Sequence, residues 1–228
     1  MKLKDLAWGI CLLPFILVLV FPASRDVFET LTANHPYLMG FIKTAFLATM
    51  GELLALRIVT GKYSGLIGIL YKLVIWGFLG LGFVLVFDVF AGGVTSAQSK
   101  GLLPFIPTDH FGGKLLFASL TSALMNLIFA PTFMLLHRIT DNYIEIGRGK
   151  FREIKSVKLE QVIAKIDWQH FISFVLLKTI PIFWIPAHTI TFILPPQYRV
   201  LMAASLSLAL GVILSLTKKM KKTNLRNK

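Results

Sequence analysis

Hydrophobic residues in this chain occur in long, nearly uninterrupted blocks rather than in short amphipathic repeats. Six blocks of about 16 to 25 residues are recognisable along the sequence. They cover residues 6–21, 37–58, 66–90, 115–137, 171–194 and 200–216. As helices rising 1.5 Å per residue they would span about 24 to 37 Å, against a hydrocarbon core of about 30 Å. The pattern therefore predicts six membrane-spanning helices.

The predicted fold class is all-α, a multi-pass transmembrane helical bundle. The blocks lack the alternation of apolar and polar residues that strands of a membrane barrel require. Composition agrees, since 55% of residues are hydrophobic, 15% are charged and the mean hydropathy is +0.72. We read one integral membrane domain with three parts: an extra N-terminal span in 1–30, a helical bundle in 31–217 and a basic tail in 218–228.

The first block has a second interpretation. Lys2 and Lys4 followed by an apolar run that ends near Ala23 also fit a cleavable signal peptide. Cleavage after Ala23 would place Phe21 at the third residue before the cut, where a small side chain is preferred. This position favours an uncleaved membrane anchor.

Basic residues divide unevenly between the two predicted sides of the membrane. With the N-terminus inside, 17 of the 24 Lys and Arg residues fall in inner segments, and three lie within spans, Lys43, Lys72 and Lys178. The outer segments hold the other four, which are Arg25, Lys100, Lys114 and Arg199. Cytoplasmic segments of membrane proteins carry such an excess. The bias predicts both termini in the cytoplasm.

The net charge of +13 also raises the possibility of nucleic-acid binding. Because the excess lies in loops beside apolar spans, attraction to anionic lipid headgroups explains it better, and no nucleic-acid partner is predicted. Residues 156–168 mix apolar and basic side chains. This stretch fits either a short helix in the cytoplasmic interface or a solvated loop.

Catalytic and metal-binding patterns are sparse. Cys11 is the single cysteine, which leaves no disulfide and no thiolate cluster, and we expect it to be a packing residue. The five histidines lack the paired spacing of zinc hydrolases. No cofactor or metal is implied, and no enzyme activity is expected, with an intramembrane enzyme built from dispersed residues as the third alternative for function.

Three charged residues are predicted to lie inside the bilayer at a similar depth: Glu52, Lys72 and Lys178. A buried carboxylate without a cation would protonate or destabilise its span, so Glu52 is expected to pair with one of the two lysines. The pair would either fix helix packing or line a water-filled path. The candidate path consists of Glu52, Lys72, Lys178, His188 and Thr191.

Small residues recur every fourth position in the last span, at Ala203, Ser207, Gly211 and Ser215. Such a stripe allows close contact between membrane helices. Gly51 in the second span supplies a similar, weaker signal. Prolines should kink two spans, the fourth at Pro131 and the fifth at Pro181 and Pro186.

Several short motifs, taken in order, resemble the Mpv-seventeen and twenty-two-kilodalton peroxisomal membrane protein family. The chain has a His-Pro pair before the second span, a Gly-Glu pair where that family has Gly-Asp, and a Phe, Pro, Arg series before the last span. Thr191 stands where the family has Asn. The matching residues are His35, Pro36, Gly51, Glu52, Pro131, Pro186, Phe192, Pro195 and Arg199.

The resemblance implies a small membrane bundle proposed to act as a channel for small solutes. We therefore expect passive permeation of small solutes, with a non-conducting structural or lipid-organising membrane protein as the alternative. The extra first span and the absence of an Arg-rich transit segment indicate a bacterial-type plasma membrane. The sequence predicts neither the solute nor the oligomeric state.

Overall fold

A computed structural model describes residues 3–63 and 65–226, with the side chains of 207 and 214–226 left out. Across these residues the chain forms helices and connecting loops and no strand. The predicted all-α class is confirmed. In chain order the helices are α1 Leu3–Val20, α2 Pro22–Asn34, α3 Pro36–Thr60, α4 Ile69–Ser99, α5 Phe111–Ile128, α6 Ala130–Ile146, α7 Phe151–Ser156, α8 Leu159–Ala164, α9 Trp168–Ile193 and α10 Pro196–Arg226.

Six helices in the described part of the chain are long and apolar enough to cross a bilayer. They are α1, α3, α4, α5, α9 and the part of α10 from Pro196 to Ile213. Each corresponds to one of the six hydrophobic blocks, so the predicted number of spans is confirmed. The protein is therefore a multi-pass integral membrane protein.

The fourth block forms α5 and α6, which Phe129 alone separates. Phe129 keeps right-handed helical dihedral angles, and its N–H donates to the Met125 carbonyl at 2.8 Å. Its own carbonyl accepts from the N–H of Phe133 at 3.0 Å. The interruption of the regular helix two residues before Pro131 agrees with the disturbance that this proline predicted.

Helix α2 was not predicted, because residues 22–34 contain no hydrophobic block. Pro22 begins the helix, and the chain leaves helical geometry at His35, immediately before Pro36 begins α3. A proline suits the first turn of a helix and disfavours helical geometry in the preceding residue. The two prolines thus set both ends of α2.

The fifth span is the least regular, as its prolines predicted. An α-helical turn at Trp168–His170 leads into a π-helical segment at Phe171–Trp184, and α-helical geometry returns at Ile185–Ile193. The N–H of Ile185 donates to the carbonyl of Ile180, five residues back. Pro181 and Pro186 cannot donate backbone hydrogen bonds, so regular α-helical pairing is lost around both.

The chain divides into two compact units. Unit 1 comprises Met1–Leu81 and Val200–Lys228, and unit 2 comprises Gly82–Arg199. Unit 1 therefore contains α1, α2, α3, the first part of α4 and nearly all of α10. Unit 2 contains the rest of α4 and the helices from α5 to α9.

Within unit 1, α1 packs along α3 and is part of this unit. The indole N–H of Trp8 donates to the Met50 carbonyl at 3.1 Å. The rings of Phe15 and Phe46 stack with 5.0 Å between their centroids. Cys11, expected to be a packing residue, is exposed instead.

Helices α3 and α10 approach closely where both carry small residues. A Cβ atom added to Gly51 would lie 3.0 Å from the Cα atom of Leu208. A Cβ atom added to Gly211 would lie 3.5 Å from the Gly51 carbonyl oxygen and 3.6 Å from the Cβ of Ala55. Ala203 on the same helix is also buried. The side chains of Ser207 and Ser215, also in the predicted stripe, lie outside the described residues.

Within unit 2, the basic stretch after α6 forms two short helices, α7 and α8, rather than a loop. Val162 and Ile166 are buried. The Asn142 side-chain amide of α6 donates to the Val162 carbonyl at 3.1 Å. A salt bridge of 2.7 Å joins Lys165 to Glu145. These contacts hold α8 against α6.

Candidate functional site

Glu52 lies in a compact polar cluster with Lys72 and Trp76 inside unit 1. One carboxylate oxygen lies 2.9 Å from the Lys72 Nζ atom. The other accepts a hydrogen bond from the Trp76 indole at 2.6 Å. Lys72 and Trp76 are four residues apart on α4, so both face the same point on α3. The pair expected of Glu52 is thus formed with Lys72, and Trp76 is a further partner.

Burial makes this cluster energetically important. The Lys72 side chain is 6% exposed and that of Glu52 is 21% exposed. Removing one member would take an ionic or hydrogen-bonded contact from a poorly solvated charge, which is costly in any protein interior and more so in a bilayer. Lys72 lies three residues after the start of α4, about 4.5 Å along its axis, which is shallower than the sequence blocks suggested.

Lys178 belongs to a different environment. It lies in the π-helical segment of α9, in unit 2, and its side chain is exposed. The structure therefore groups only two of the three predicted intramembrane charges.

His188 and Thr191 are buried within unit 2. The His188 ring stacks on Trp184 at 5.5 Å between centroids and meets the edge of Phe87 at 5.7 Å. The Thr191 hydroxyl donates to the Ala187 carbonyl at 3.1 Å. Of the described atoms, none forms a hydrogen bond with the Nδ1 of His188. Aromatic packing, rather than polar contact, holds this histidine.

A polar group on α5 that the sequence analysis did not single out lies in the same unit. The Ser122 hydroxyl donates to the Ile185 carbonyl of α9 at 2.7 Å. The Asn126 side-chain amide donates to the Ser122 carbonyl at 2.8 Å. Ser122 thus joins α5 to the proline-containing part of α9. The signal in the sequence was two polar residues, Ser122 and Asn126, spaced four apart on an otherwise apolar helix.

The residues that carried the family resemblance have mainly structural contacts. His35 and Pro36 form the junction between α2 and α3. The Arg199 guanidinium donates to the Leu194 carbonyl at 3.2 Å and lies 5.4 Å from the Phe192 ring centroid. Pro195 follows α9, and its carbonyl accepts from the N–H of Tyr198 at 3.0 Å in the first turn of α10.

A second ion pair in unit 1 was missed by the sequence analysis. Arg57 of α3 donates to both carboxylate oxygens of Asp5 of α1, at 2.7 and 2.9 Å. Its guanidinium also lies 5.5 Å from the Tyr63 ring centroid. Burial, with the nearby Asp5 carboxylate, raises the pKa of Tyr63 above its ordinary value, so the hydroxyl stays neutral. The signal in the sequence for this ion pair was Asp5, an acidic residue at the start of an apolar span.

In comparisons with known proteins, the chain matches no family model, no curated protein and no solved structure. The resemblance to the Mpv-seventeen family therefore stays a prediction. The six apolar helices establish membrane integration, and the polar contacts described above are the basis for any statement about function.

Proposed function

We propose that this protein is a non-conducting, lipid-organising membrane protein. The observation that carries the proposal is that both carboxylate oxygens of Glu52 contact α4 side chains. A charge that lines an aqueous path must be available to water or solute, whereas a charge paired between helices fixes their packing. Glu52 and Lys72 fit the second role.

The basic segment formed by α7 and α8 is the proposed lipid-binding surface. Arg152, Lys155 and Lys158 are exposed. Beside them, Phe151 and Leu159 are exposed large hydrophobic side chains at 68% and 51%. Exposed cations next to exposed apolar groups suit the boundary between headgroups and acyl chains of anionic lipid. Each basic residue near such a surface contributes about 1 kcal/mol of attraction.

Thermal unfolding in detergent with added lipid tests the lipid-binding part. Phosphatidylglycerol should raise the melting temperature of the natural protein more than phosphatidylcholine does. The triple variant Arg152→Glu, Lys155→Glu, Lys158→Glu should lose most of this difference. The matched control changes three exposed basic residues of the predicted outer segments, Arg25, Lys100 and Lys114, to Glu and should keep it. Equal responses of both variants would contradict the proposed surface.

A channel for small solutes is the second candidate, and the observation that favours it is His188. A buried imidazole nitrogen without a protein partner usually binds water or another polar molecule. Solute efflux from liposomes discriminates the two functions. The proposed function requires efflux equal to that of protein-free liposomes. If efflux is faster than in protein-free liposomes and His188→Phe abolishes the difference, the non-conducting function is wrong and the channel takes its place.

A further inference from the structure

A cavity of about 360 Å³ lies within unit 1 between α1, α2 and α3, with Leu201 of α10 contributing to its wall. Its lining is apolar except for Lys43 and Ser24. The Ser24 hydroxyl already donates to backbone carbonyls of the preceding turn, including Phe21 at 3.0 Å. Lys43 is the charged residue of this lining.

Lys43 is a deeply buried cation, only 1% exposed. Its Nζ atom donates to the Thr32 hydroxyl at 3.2 Å and lies 4.8 Å from the centroid of the Phe28 ring. No carboxylate in the described residues forms an ion pair with it. Lys72, which is also buried in unit 1, has Glu52 as a counter-charge.

A hydroxyl and an aromatic face satisfy an ammonium only in part. The hydroxyl offers a neutral acceptor, and the ring offers a cation-π contact, but neither supplies the negative charge that a desolvated cation requires. An ammonium group has three N–H donors, so further acceptors can bind beside Thr32. A ligand that brings an anionic oxygen to Lys43 would complete this site.

The position of Lys43 defines the shape of such a ligand. It lies seven residues after Pro36, about 10 Å from the start of α3, and one wall of the cavity is the apolar face of α1. An occupant must therefore place one small anionic group at Lys43 and apolar material along α1. The cavity volume lies within the range of about 300 to 1,000 Å³ typical of small-molecule sites.

We infer that this cavity binds one long-chain carboxylate, a free fatty acid, with its carboxylate on Lys43 and its acyl chain against α1 and α2. A carboxylate is the smallest lipid head group that supplies both the charge and the hydrogen-bond acceptors. The bulkier phosphodiester and glycerol groups of a phospholipid would find apolar walls on most sides. This site in unit 1 is separate from the basic surface of α7 and α8 and does not depend on the function proposed above.

Displacement of a fluorescent polyene fatty acid tests the inference on the full-length protein in detergent. From this displacement, the affinity of the protein for palmitate should be at least about tenfold higher than that for hexadecanol, which has the same chain without the charge. A tenfold difference in affinity corresponds to about 1.4 kcal/mol. Lys43→Met should remove this preference. The matched control Lys178→Met removes an exposed lysine from another span and should keep it.

A second variant keeps the test decisive if Lys43→Met does not fold. Val27 lines the cavity and is 57% exposed, so Val27→Trp should fill the space without disturbing the core and should abolish displaceable probe binding. Leu38→Trp, at an equally exposed position outside the lining, should leave binding unchanged. Equal affinities for palmitate and hexadecanol, unaltered binding in Val27→Trp, or displacement by phosphatidylglycerol as strong as by palmitate would each overturn the fatty-acid site.

Discussion

The indole of Trp76 donates a hydrogen bond of 2.6 Å to Glu52, whose other carboxylate oxygen lies 2.9 Å from the Lys72 Nζ atom. An indole adds a donor without adding charge, which suits a poorly solvated carboxylate. Trp76→Phe should keep most of the ring packing and lose this bond. We expect the free energy of unfolding to fall by about 1.5 to 3 kcal/mol, measured by chemical unfolding in detergent. An equal loss in a Glu52→Leu background, where no side-chain acceptor remains, would show that the indole acts through packing alone.

The salt bridge of the same cluster should appear as coupling between Glu52 and Lys72. Glu52→Gln and Lys72→Met should each destabilise the protein, by about 3 kcal/mol, because each leaves a poorly solvated partner. The double variant should recover part of the sum, with a coupling of about 1 to 3 kcal/mol. Lys178→Met replaces Lys72→Met in a control cycle, where coupling to Glu52 should be near zero. Coupling to Lys178 of the same size would contradict the pairing.

The ion pair of Asp5 and Arg57 should anchor the start of α1. Both side chains are partly exposed, at 27% and 19%, so solvent screening keeps the effect of Asp5→Asn on the free energy of unfolding small. Limited proteolysis should detect the change more directly, because a protease site introduced before α1 should be cleaved faster in the variant. Raising the salt concentration should reduce the difference between the variant and the natural protein. A salt-independent difference would show that the contact is not chiefly electrostatic.

The close approach of α3 and α10 predicts that a small side chain is tolerated at the contact and that larger ones are not. Gly211→Ala should be tolerated, because an added Cβ meets Gly51 and Ala55 at ordinary contact distance. Gly211→Leu and Gly51→Val should each cost about 1 to 3 kcal/mol, since larger side chains must separate the helices. Thermal unfolding in detergent measures both. Equal melting temperatures for all three variants would show that this face is not a packing surface.

Cysteine labelling from outside the cell tests the predicted topology. Cys11 is exposed and must first be replaced, so the background is Cys11→Ser. A membrane-impermeant thiol reagent should then label a cysteine introduced at Lys100 and not one at Lys219. Permeabilised cells provide the control, because both positions should react there. Labelling at both positions in intact cells would contradict the arrangement with both termini inside.

The spans were predictable because long apolar blocks have one stable solution in a bilayer, a helix that satisfies its own backbone. The need of Glu52 for a cation was predictable for a similar reason. Its second partner was not, because the indole of Trp76 looks like any other apolar side chain in such a block. Lys43 was recognised only as lying inside a span, since its partner Thr32 lies on α2, a helix too polar to stand out by hydropathy.

The hydrophobic pattern also did not predict where the helices are interrupted. Pro131 indicated a disturbance, but whether a proline bends a helix or begins a new one depends on its tertiary surroundings. The pairing of Asp5 with Arg57 spans 52 residues of sequence, and neither residue has a local feature that identifies the other. That the candidate path residues line a route for small solutes stays a prediction.

Unit 1 is assembled from both ends of the chain, and this sets an order on its biosynthesis. Gly51 emerges from the ribosome long before Leu208, the residue against which it packs. At about 5 to 20 residues per second, the nascent α3 waits on the order of ten seconds or more for α10. During that interval the Gly51 face of α3 lacks its α10 partner. Truncation before α10 should therefore leave a newly made membrane protein that quality-control proteases recognise, even with five spans already inserted.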